Sequence, residues 1–268
     1  MKKTQPALFV PHGAPTFALR PGAAGAAIAA QASALLLPRA IIIVSAHWDT
    51  AIPTVGLADR PETIHDFWGF PQELYTLRYP ATGCCEAANE VAAAILAAGL
   101  PVRTDAERGL DHGAWIPLRI MFPDAEVPVI PLSIQSQGGP EQAYRLGKAL
   151  APLTAKGFLV IASGNLTHNL HDFQLAHGNA QQTPVYVREF SDWIANRLDA
   201  HDLAALLDYR RLAPGAAQAH PRDEHLLPLF VALGAGGDKD EVKRFHAGIA
   251  DYVIAMDSYS FSPQQGIY

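Results

Sequence analysis

The chain has 268 residues, of which 49% are hydrophobic and 17% are charged, with a formal net charge of −6 at pH 7. This composition is typical of a globular protein with a sizeable core. The basic residues are scattered, which argues against nucleic acid as a partner, and no apolar run reaches the roughly 18–20 residues of a membrane span. The only cysteines, Cys84 and Cys85, are adjacent and geometrically poor disulfide partners, which favours a reduced, cytoplasmic protein.

Four short apolar runs predict β-strands. They are Ala7–Val10, Ala40–Val44, Val127–Ile134 and Gly157–Ala162. The second run has no polar alternation, and continuous apolar strands of this length belong to sheets that are covered on both faces. We therefore expect a central, mostly parallel sheet.

The segments between these runs predict helices. The helices are expected at Ala23–Leu37, Cys84–Ala98, Glu141–Ala155 and Thr183–Leu198. The last begins with Thr-Pro, a suitable cap followed by a first-turn proline. Because strands and helices alternate, the predicted fold is α/β. No repeat or Ser/Gly linker is apparent, so we expect a single domain over residues 1–268.

The C-terminal part of the chain carries weaker signals. Pro221–Gly234 is typical of a loop that enters a helix, with Pro228 in its first turn or at a kink. The segments Lys243–His246 and Ser258–Phe261 are expected to supply one or two edge strands.

Three histidines stand just past predicted strands. His12 follows the first run, His47 the second and His168 the fourth. Parallel strands end at the same edge of a sheet, so these imidazoles can meet there, and open α/β sheets bind their ligands at that edge. The arrangement therefore favours one divalent metal held by histidines.

Two further histidines are candidates for the same site. His225 ends the turn His220-Pro-Arg-Asp-Glu-His225, from which a side chain can reach back to the sheet edge. His112 precedes Gly113, which permits close backbone approach, and Trp115, which can wall an apolar pocket. The role of His220 is left open between a site contact and a structural one. The other histidines are expected to be exposed or hydrogen-bonded, without a catalytic role: His65, His171, His177, His201 and His246.

Acidic residues form no comparable cluster. The run from Asp105 to Asp111 is typical of a solvated loop. Asp49 and Asp66 are candidates to orient ligating imidazoles, since metal-bound histidines commonly need a partner at their second ring nitrogen. Ser163-Gly-Asn165 follows a strand but lacks the elbow sequence of a serine hydrolase.

Taken together, several segments resemble the class III extradiol ring-cleavage dioxygenases, and specifically their DOPA 4,5-dioxygenase group. They occur in family order across nearly the whole chain, and jointly they are highly specific. The matching segments are Pro11–Gly13, Ser45–Trp48, His65–Pro71, Glu73–Tyr75, Tyr79–Ala81, Leu110–Trp115, Ser163–Leu170 and Glu224–Leu229.

The resemblance implies a role for each candidate histidine. His12, His47 and His225 are implied metal ligands, and His168 is either a fourth ligand or the acid/base beside the metal. His112 is implied to contact substrate or to move protons. The wider family uses two histidines and one glutamate, which suits non-haem Fe(II); here His225 occupies the glutamate position. Fe(II) is therefore expected for catalysis, with Zn(II) plausible as the bound metal.

The activity implied by the resemblance is extradiol opening of a catechol ring, such as that of DOPA, by dioxygen. The expected partners are a small aromatic diol and dioxygen, without nucleic acid or membrane, in a monomer or homodimer. Trp48, Phe67, Trp68 and Trp115 are candidates for an aromatic wall, with ordinary core packing the equal alternative for each. Two alternatives remain open: a zinc-dependent hydrolase that uses the same histidines, and a non-catalytic metal-binding or interaction protein of the same fold.

Overall fold

The computed structural model describes residues 4–176, 182–237 and 240–263. Its strands are β1 (Ala7–Pro11), β2 (Ala40–Asp49), β3 (Thr54–Gly56), β4 (Arg103–Asp105), β5 (Val129–Ile134), β6 (Phe158–Gly164), β7 (Asp240–His246), β8 (Ile249–Ala250), β9 (Ile254–Ala255) and β10 (Ser258–Pro263). Its α-helices are α1 (Gly22–Ser33), α2 (Cys85–Ala97), α3 (His112–Met121), α4 (Gly139–Thr154), α5 (Leu170–Ala176), α6 (Val185–Asp199), α7 (Leu203–Leu207), α8 (Tyr209–Leu212), α9 (Ala216–Ala219) and α10 (Leu227–Gly236). Short 3-10 helices occur at Pro15–Ala18, Gln72–Thr76 and Ser136–Gly138.

Eight strands of the described ranges form one sheet, in the order β4-β3-β5-β2-β6-β1-β10-β7. The central strands β5, β2, β6 and β1 run parallel to one another. At one side, β10 and β7 continue the sheet antiparallel. At the other side, β3 meets β5 antiparallel and pairs with β4 in parallel. The predicted single α/β domain with a mostly parallel sheet is confirmed.

The parallel strands are covered on both faces. All residues from 40 to 46 in β2 are buried, including the consecutive side chains Ile41, Ile42 and Ile43. Helices α4 and α10 pack on each other and on the parallel strands, whereas α3 packs on α1 and contacts β2 and β6. Burying an isoleucine side chain stabilises the fold by about 1.5–3 kcal/mol, so this apolar run fixes β2 at the centre and leaves the strand ends for function.

The four predicted helices form with shifted ends, and β3, β4 and α3 are among the elements that the sequence pattern does not predict. The first predicted helix ends at Ser33 rather than Leu37, because Pro38 follows and disfavours helical backbone at the residue before it. Strands β3 and β4 have three residues each, too few for a periodic signal. Helix α3 contains Pro117, but its first turn is capped by Asp111 and eight of its ten residues are buried.

Two expectations for the C-terminal part are confirmed and one is wrong. The turn before α10 enters the helix with Pro228 in the first turn, and β7 is an edge strand. The segment Ser258–Phe261 does form a strand, but β10 is not at an edge, because β1 and β7 flank it. Among the described residues, no helix is both long enough and apolar enough to cross a bilayer.

Candidate metal centre

Five histidines from separate parts of the chain meet at the carboxyl ends of the parallel strands. His12 follows β1, His47 lies near the end of β2, His168 follows β6, His112 begins α3, and His225 lies in the turn before α10. The ring centroid of His47 lies 4.9 Å from those of His12 and His225 and 4.0 Å from that of His112. The sheet topology thus assembles all five histidines that the sequence nominates.

Two short nitrogen–nitrogen contacts mark the centre of the cluster. Nε2 of His47 lies 3.2 Å from Nε2 of His12 and 3.3 Å from Nε2 of His225. Two nitrogens at this separation that each bind one ion at about 2.1 Å subtend roughly 100° at it, between the octahedral and tetrahedral angles. The ring centroids of His12 and His225 lie 5.2 Å apart, so the three imidazoles would hold a common divalent metal ion between them.

The opposite ring nitrogens of the same histidines face oxygen atoms. The contacts from Nδ1 are His12 to Ser163 Oγ at 3.0 Å, His47 to Asp66 Oδ2 at 3.4 Å, and His225 to Glu224 Oε1 at 3.4 Å. An Nδ1–H that donates to such an oxygen leaves the lone pair on Nε2. These partners orient each ring with its metal-binding nitrogen toward the centre.

Asp66 links two of the histidines. Its Oδ1 accepts hydrogen bonds from the backbone N–H of His112 at 2.8 Å and from Nδ1 of the same residue at 3.0 Å, while Oδ2 faces His47. Asp66 thus occupies the orienting position that the sequence predicts. Asp49 does not, because its carboxylate instead accepts from the backbone N–H and the hydroxyl of Ser136.

Asp111 is buried beside the site, whereas the sequence pattern predicts that it lies in a solvated loop. Only 3% of it is exposed. Its Oδ1 accepts from Ser45 Oγ and from the backbone N–H of Ala114, which caps α3, and Oδ2 pairs with Arg108. Burial raises the pKa of the Asp111 carboxyl. This network ties the start of α3, which carries His112, to β2, and only tertiary structure reveals it.

Gly113 allows α3 to approach β2 closely. A Cβ at this position would lie 2.4 Å from Ser45 Oγ and 2.9 Å from Cδ2 of His47. The present packing leaves no room for a side chain at this position. Gly113, the second residue of α3, therefore permits the close approach that the sequence predicts.

Burial keeps the imidazoles of His12, His47, His168 and His225 neutral. It lowers the pKa of His47 to about 3 and that of His168 to about 4, and it holds the pKa of His12 and His225 well below the ordinary value; the neighbouring histidines lower these pKa values further. A neutral imidazole offers a free lone pair at neutral pH, which is the form that binds a metal. The cluster is therefore ready for a cation without prior loss of protons.

His168 lies against His225 in a parallel stack. The ring centroids are 3.4 Å apart and the planes differ by 6°. One ligand atom from each of His168, Glu224 and His225 lies within 4.8 Å of the other two, so His168 would also stand near an ion held by His225. His168 thus neighbours the cluster with its ring nearly parallel to that of His225.

The remaining histidines have structural surroundings. His220 is buried, its Nε2 donates to the carbonyl of Leu166 at 2.8 Å, and burial lowers its pKa to about 3. It therefore holds the segment before His168 and does not join the cluster. His65 contacts the carbonyl of Leu77 through Nε2, and His171 is exposed, as expected. His177 lies outside the described residues.

Of the proposed aromatic wall, only one member contacts a histidine of the centre. The ring of Phe67 lies edge-to-face with His112 at 5.6 Å. Trp115 is fully buried and donates to the carbonyl of Ile64, so it belongs to the core, and Trp68 is 85% exposed. Trp48 packs under the guanidinium of Arg108. Trp115 thus takes the core-packing role that the sequence left open.

A mostly parallel sheet with histidines gathered at its carboxyl edge makes this an α/β protein with a candidate metal centre. Residues 20–255 match the family model described as the catalytic LigB subunit of aromatic ring-opening dioxygenase. The chain belongs to this family. Four of the five clustered histidines lie within the matched range, and His12 precedes it.

Similar proteins agree with this membership. The chain is 38% identical to a 4,5-DOPA dioxygenase extradiol of Beta vulgaris, over 84% of this chain and 83% of that protein. It is 36% identical to a 4,5-DOPA dioxygenase extradiol of Escherichia coli K12, over 88% and 87%. A crystal structure of an uncharacterised Escherichia coli K12 protein superposes with a TM-score of 0.77 at 29% identity and covers 96% of this chain and 99% of that one.

These findings confirm the activity that the sequence motifs imply. The protein is a metal-dependent enzyme of the extradiol dioxygenase type, which opens an aromatic ring with dioxygen. The hydrolase and the non-catalytic alternatives are disfavoured, because the family and the relatives named above are dioxygenases.

Proposed function

We propose that this dioxygenase opens catechols of the DOPA type at an Fe(II) ion held by His12, His47 and His225. The observation that carries the proposal is the convergence of the three Nε2 atoms, with His47 3.2 Å from His12 and 3.3 Å from His225. The DOPA-type substrate is inferred from the names of the relatives in Beta vulgaris and Escherichia coli.

His112 is the rival third ligand. Its ligating nitrogen lies within 4.8 Å of those of His12 and His47. We favour His225 because its Nε2 approaches His47 to 3.3 Å, which is the separation expected for two nitrogens on one ion. Asp66 accepts from Nδ1 of His112, and we assign the free Nε2 of that ring the role of a base for substrate.

Iron is favoured over zinc by the reaction and not by the donor set. Three neutral imidazoles suit both Fe(II) and Zn(II). When bound, a redox-active ion supplies the electron route between catechol and dioxygen and the positive charge that favours an ionised catechol. Zn(II) has no accessible redox change, so we expect it to occupy the same histidines without supporting turnover.

His168 is assigned as the acid/base of the reaction, with His112 assisting. Its ring stacks on that of His225 with the centroids 3.4 Å apart, so His168 would stand beside an ion held by His225 and beside a substrate bound there. Because its pKa is lowered to about 4, His168 is neutral at neutral pH and can accept a proton from a catechol hydroxyl. Phe67, beside His112, helps to exclude water from the ring.

The test is anaerobic reconstitution followed by oxygen uptake. Protein loaded with Fe(II) is expected to consume oxygen with DOPA or another catechol and to form a yellow ring-opened semialdehyde, whereas protein loaded with Zn(II) is not. His12→Ala is expected to lose both bound metal and turnover, while His171→Ala, at an exposed position, retains both. Oxygen uptake that is absent with Fe(II) across a panel of catechols would refute the proposal.

A further inference from the structure

Asn165 lies fully buried between the first candidate ligand and the backbone beside it. Its Oδ1 accepts a hydrogen bond from the backbone N–H of Gly13 at 3.0 Å, and its Nδ2 lies 3.2 Å from Nε2 of His12. A backbone N–H can only donate, so it selects the oxygen of the amide. The Nδ2 of Asn165 therefore faces the histidine cluster at His12.

A bound metal ion changes the partner of this amide. Nε2 of His12 has one lone pair, and an ion held there uses it. The N–H of Asn165 that now faces this nitrogen then loses its acceptor, although a buried donor without a partner is costly. A substrate oxygen beside His12 would restore the hydrogen bond. The amide is thus placed to meet the ligand that completes the site.

The charges of the groups around Asn165 bear on which ligand atom its amide can stabilise. The imidazoles of His12, His47 and His225 are neutral, and the nearest carboxylates at the cluster, Asp66 and Glu224, face the Nδ1 sides of their histidines. An amide donor needs no proton exchange of its own and stabilises a developing oxyanion by a charge-assisted hydrogen bond.

We propose that Asn165 is a further catalytic residue, whose Nδ2 donates a hydrogen bond to the ionised hydroxyl oxygen of the catechol beside His12. The inference rests on the proposed function, since it takes a catechol as the substrate. The amide thereby favours the catecholate over the neutral diol. A residue that only holds the Gly13 turn would use its Oδ1 and leave the ionisation of the substrate unchanged.

The experiment measures binding of 4-nitrocatechol to Zn(II)-loaded protein, because zinc keeps the site free of turnover and the absorption of this probe reports its ionisation. Asn165→Ala is expected to retain zinc but to bind the probe roughly 10- to 100-fold more weakly, the loss expected for a hydrogen bond to a charged group. The pKa of the bound probe is expected to rise in the same variant. Asn169→Ala is the matched control, since Asn169 is a buried amide of the same segment that contacts Gln218 and Asp172.

Two further outcomes decide the inference. If Asn165→Ala does not fold, Asn165→Asp serves instead, because it keeps an acceptor for Gly13 and replaces the donor with a carboxylate that repels the catecholate. Wild-type affinity and wild-type probe ionisation in either folded variant would overturn the role of Asn165 alone. A wild-type protein that binds no catechol and consumes no oxygen with Fe(II) would instead refute the proposed function, and this inference with it.

Discussion

Asp66→Asn removes a carboxylate that contacts two histidines of the centre at once. The amide oxygen can still accept both hydrogen bonds of His112, but the amide nitrogen then faces Nδ1 of His47, donor against donor. His47 loses the partner that holds its Nε2 toward the metal. The substitution therefore tests one orienting contact while it preserves the size of the side chain.

The size of the effect follows from the contact distance. Loss of an orienting partner typically weakens metal binding 10- to 100-fold. The Asp66–His47 contact of 3.4 Å is longer than the 2.7–2.9 Å typical of a charge-assisted hydrogen bond. We therefore expect the lower end of that range, a roughly tenfold weaker affinity for the metal ion. This loss corresponds to about 1.4 kcal/mol of binding free energy.

The assay is competition for Zn(II) between the protein and a chromophoric chelator. Asp49→Asn is the control, because Asp49 lies on the same strand but binds Ser136. The Asp49 variant is expected to keep a zinc affinity within about twofold of the wild type. This change is much smaller than the 10- to 100-fold loss typical of a lost orienting contact. Equal affinities of the Asp66 and Asp49 variants for zinc would show that Asp66 does not orient a ligand.

Three other substitutions give separate tests. Gly113→Ala places a Cβ 2.4 Å from Ser45 Oγ, so urea denaturation should show a free energy of unfolding lower by about 1–3 kcal/mol; wild-type stability would contradict the close packing. His168→Gln should lower kcat by roughly 10²- to 10⁴-fold while iron content is unchanged, whereas loss of iron would make His168 a ligand. His220 has its pKa lowered to about 3 by burial, with His168 and Arg210 adding to the effect. As pH falls, His220 therefore binds a proton in the unfolded protein before it does so in the folded protein. The free energy of unfolding decreases as pH falls below about 6.5. Between about pH 6 and pH 4 the unfolding free energy of the wild type should fall more steeply than that of His220→Gln, by up to about 1.4 kcal/mol per pH unit, and equal slopes would contradict this reasoning.

The sequence predicts the fold wherever the pattern is long and apolar. Ala40–Val44 is identifiable as a buried parallel strand because it has no polar alternation. Elements that depend on tertiary contacts escape the pattern: the three-residue strands β3 and β4 carry no period, and α3 contains a proline that argues against a helix. The place of β10 inside the sheet depends on pairing with β1, which no local signal encodes.

The site is predictable in part for a topological reason. His12, His47 and His168 stand at the ends of parallel strands, which meet at one edge whatever the details of packing. The partners of those histidines are not predictable in this way. Asp49 and Asp66 look alike in the sequence, and only the folded structure turns one toward Ser136 and the other toward His47 and His112.

The loop that carries His225 has a thermodynamic consequence. An ion shared by His12, His47 and His225 would fasten the beginning of the described chain to its C-terminal part, through residues that approach one another only after folding. A cation that binds the native state alone raises the unfolding free energy by about 2.7 kcal/mol when its free concentration is 100 times its dissociation constant. Depletion of the cation would therefore lower the melting temperature of the whole domain as well as its turnover.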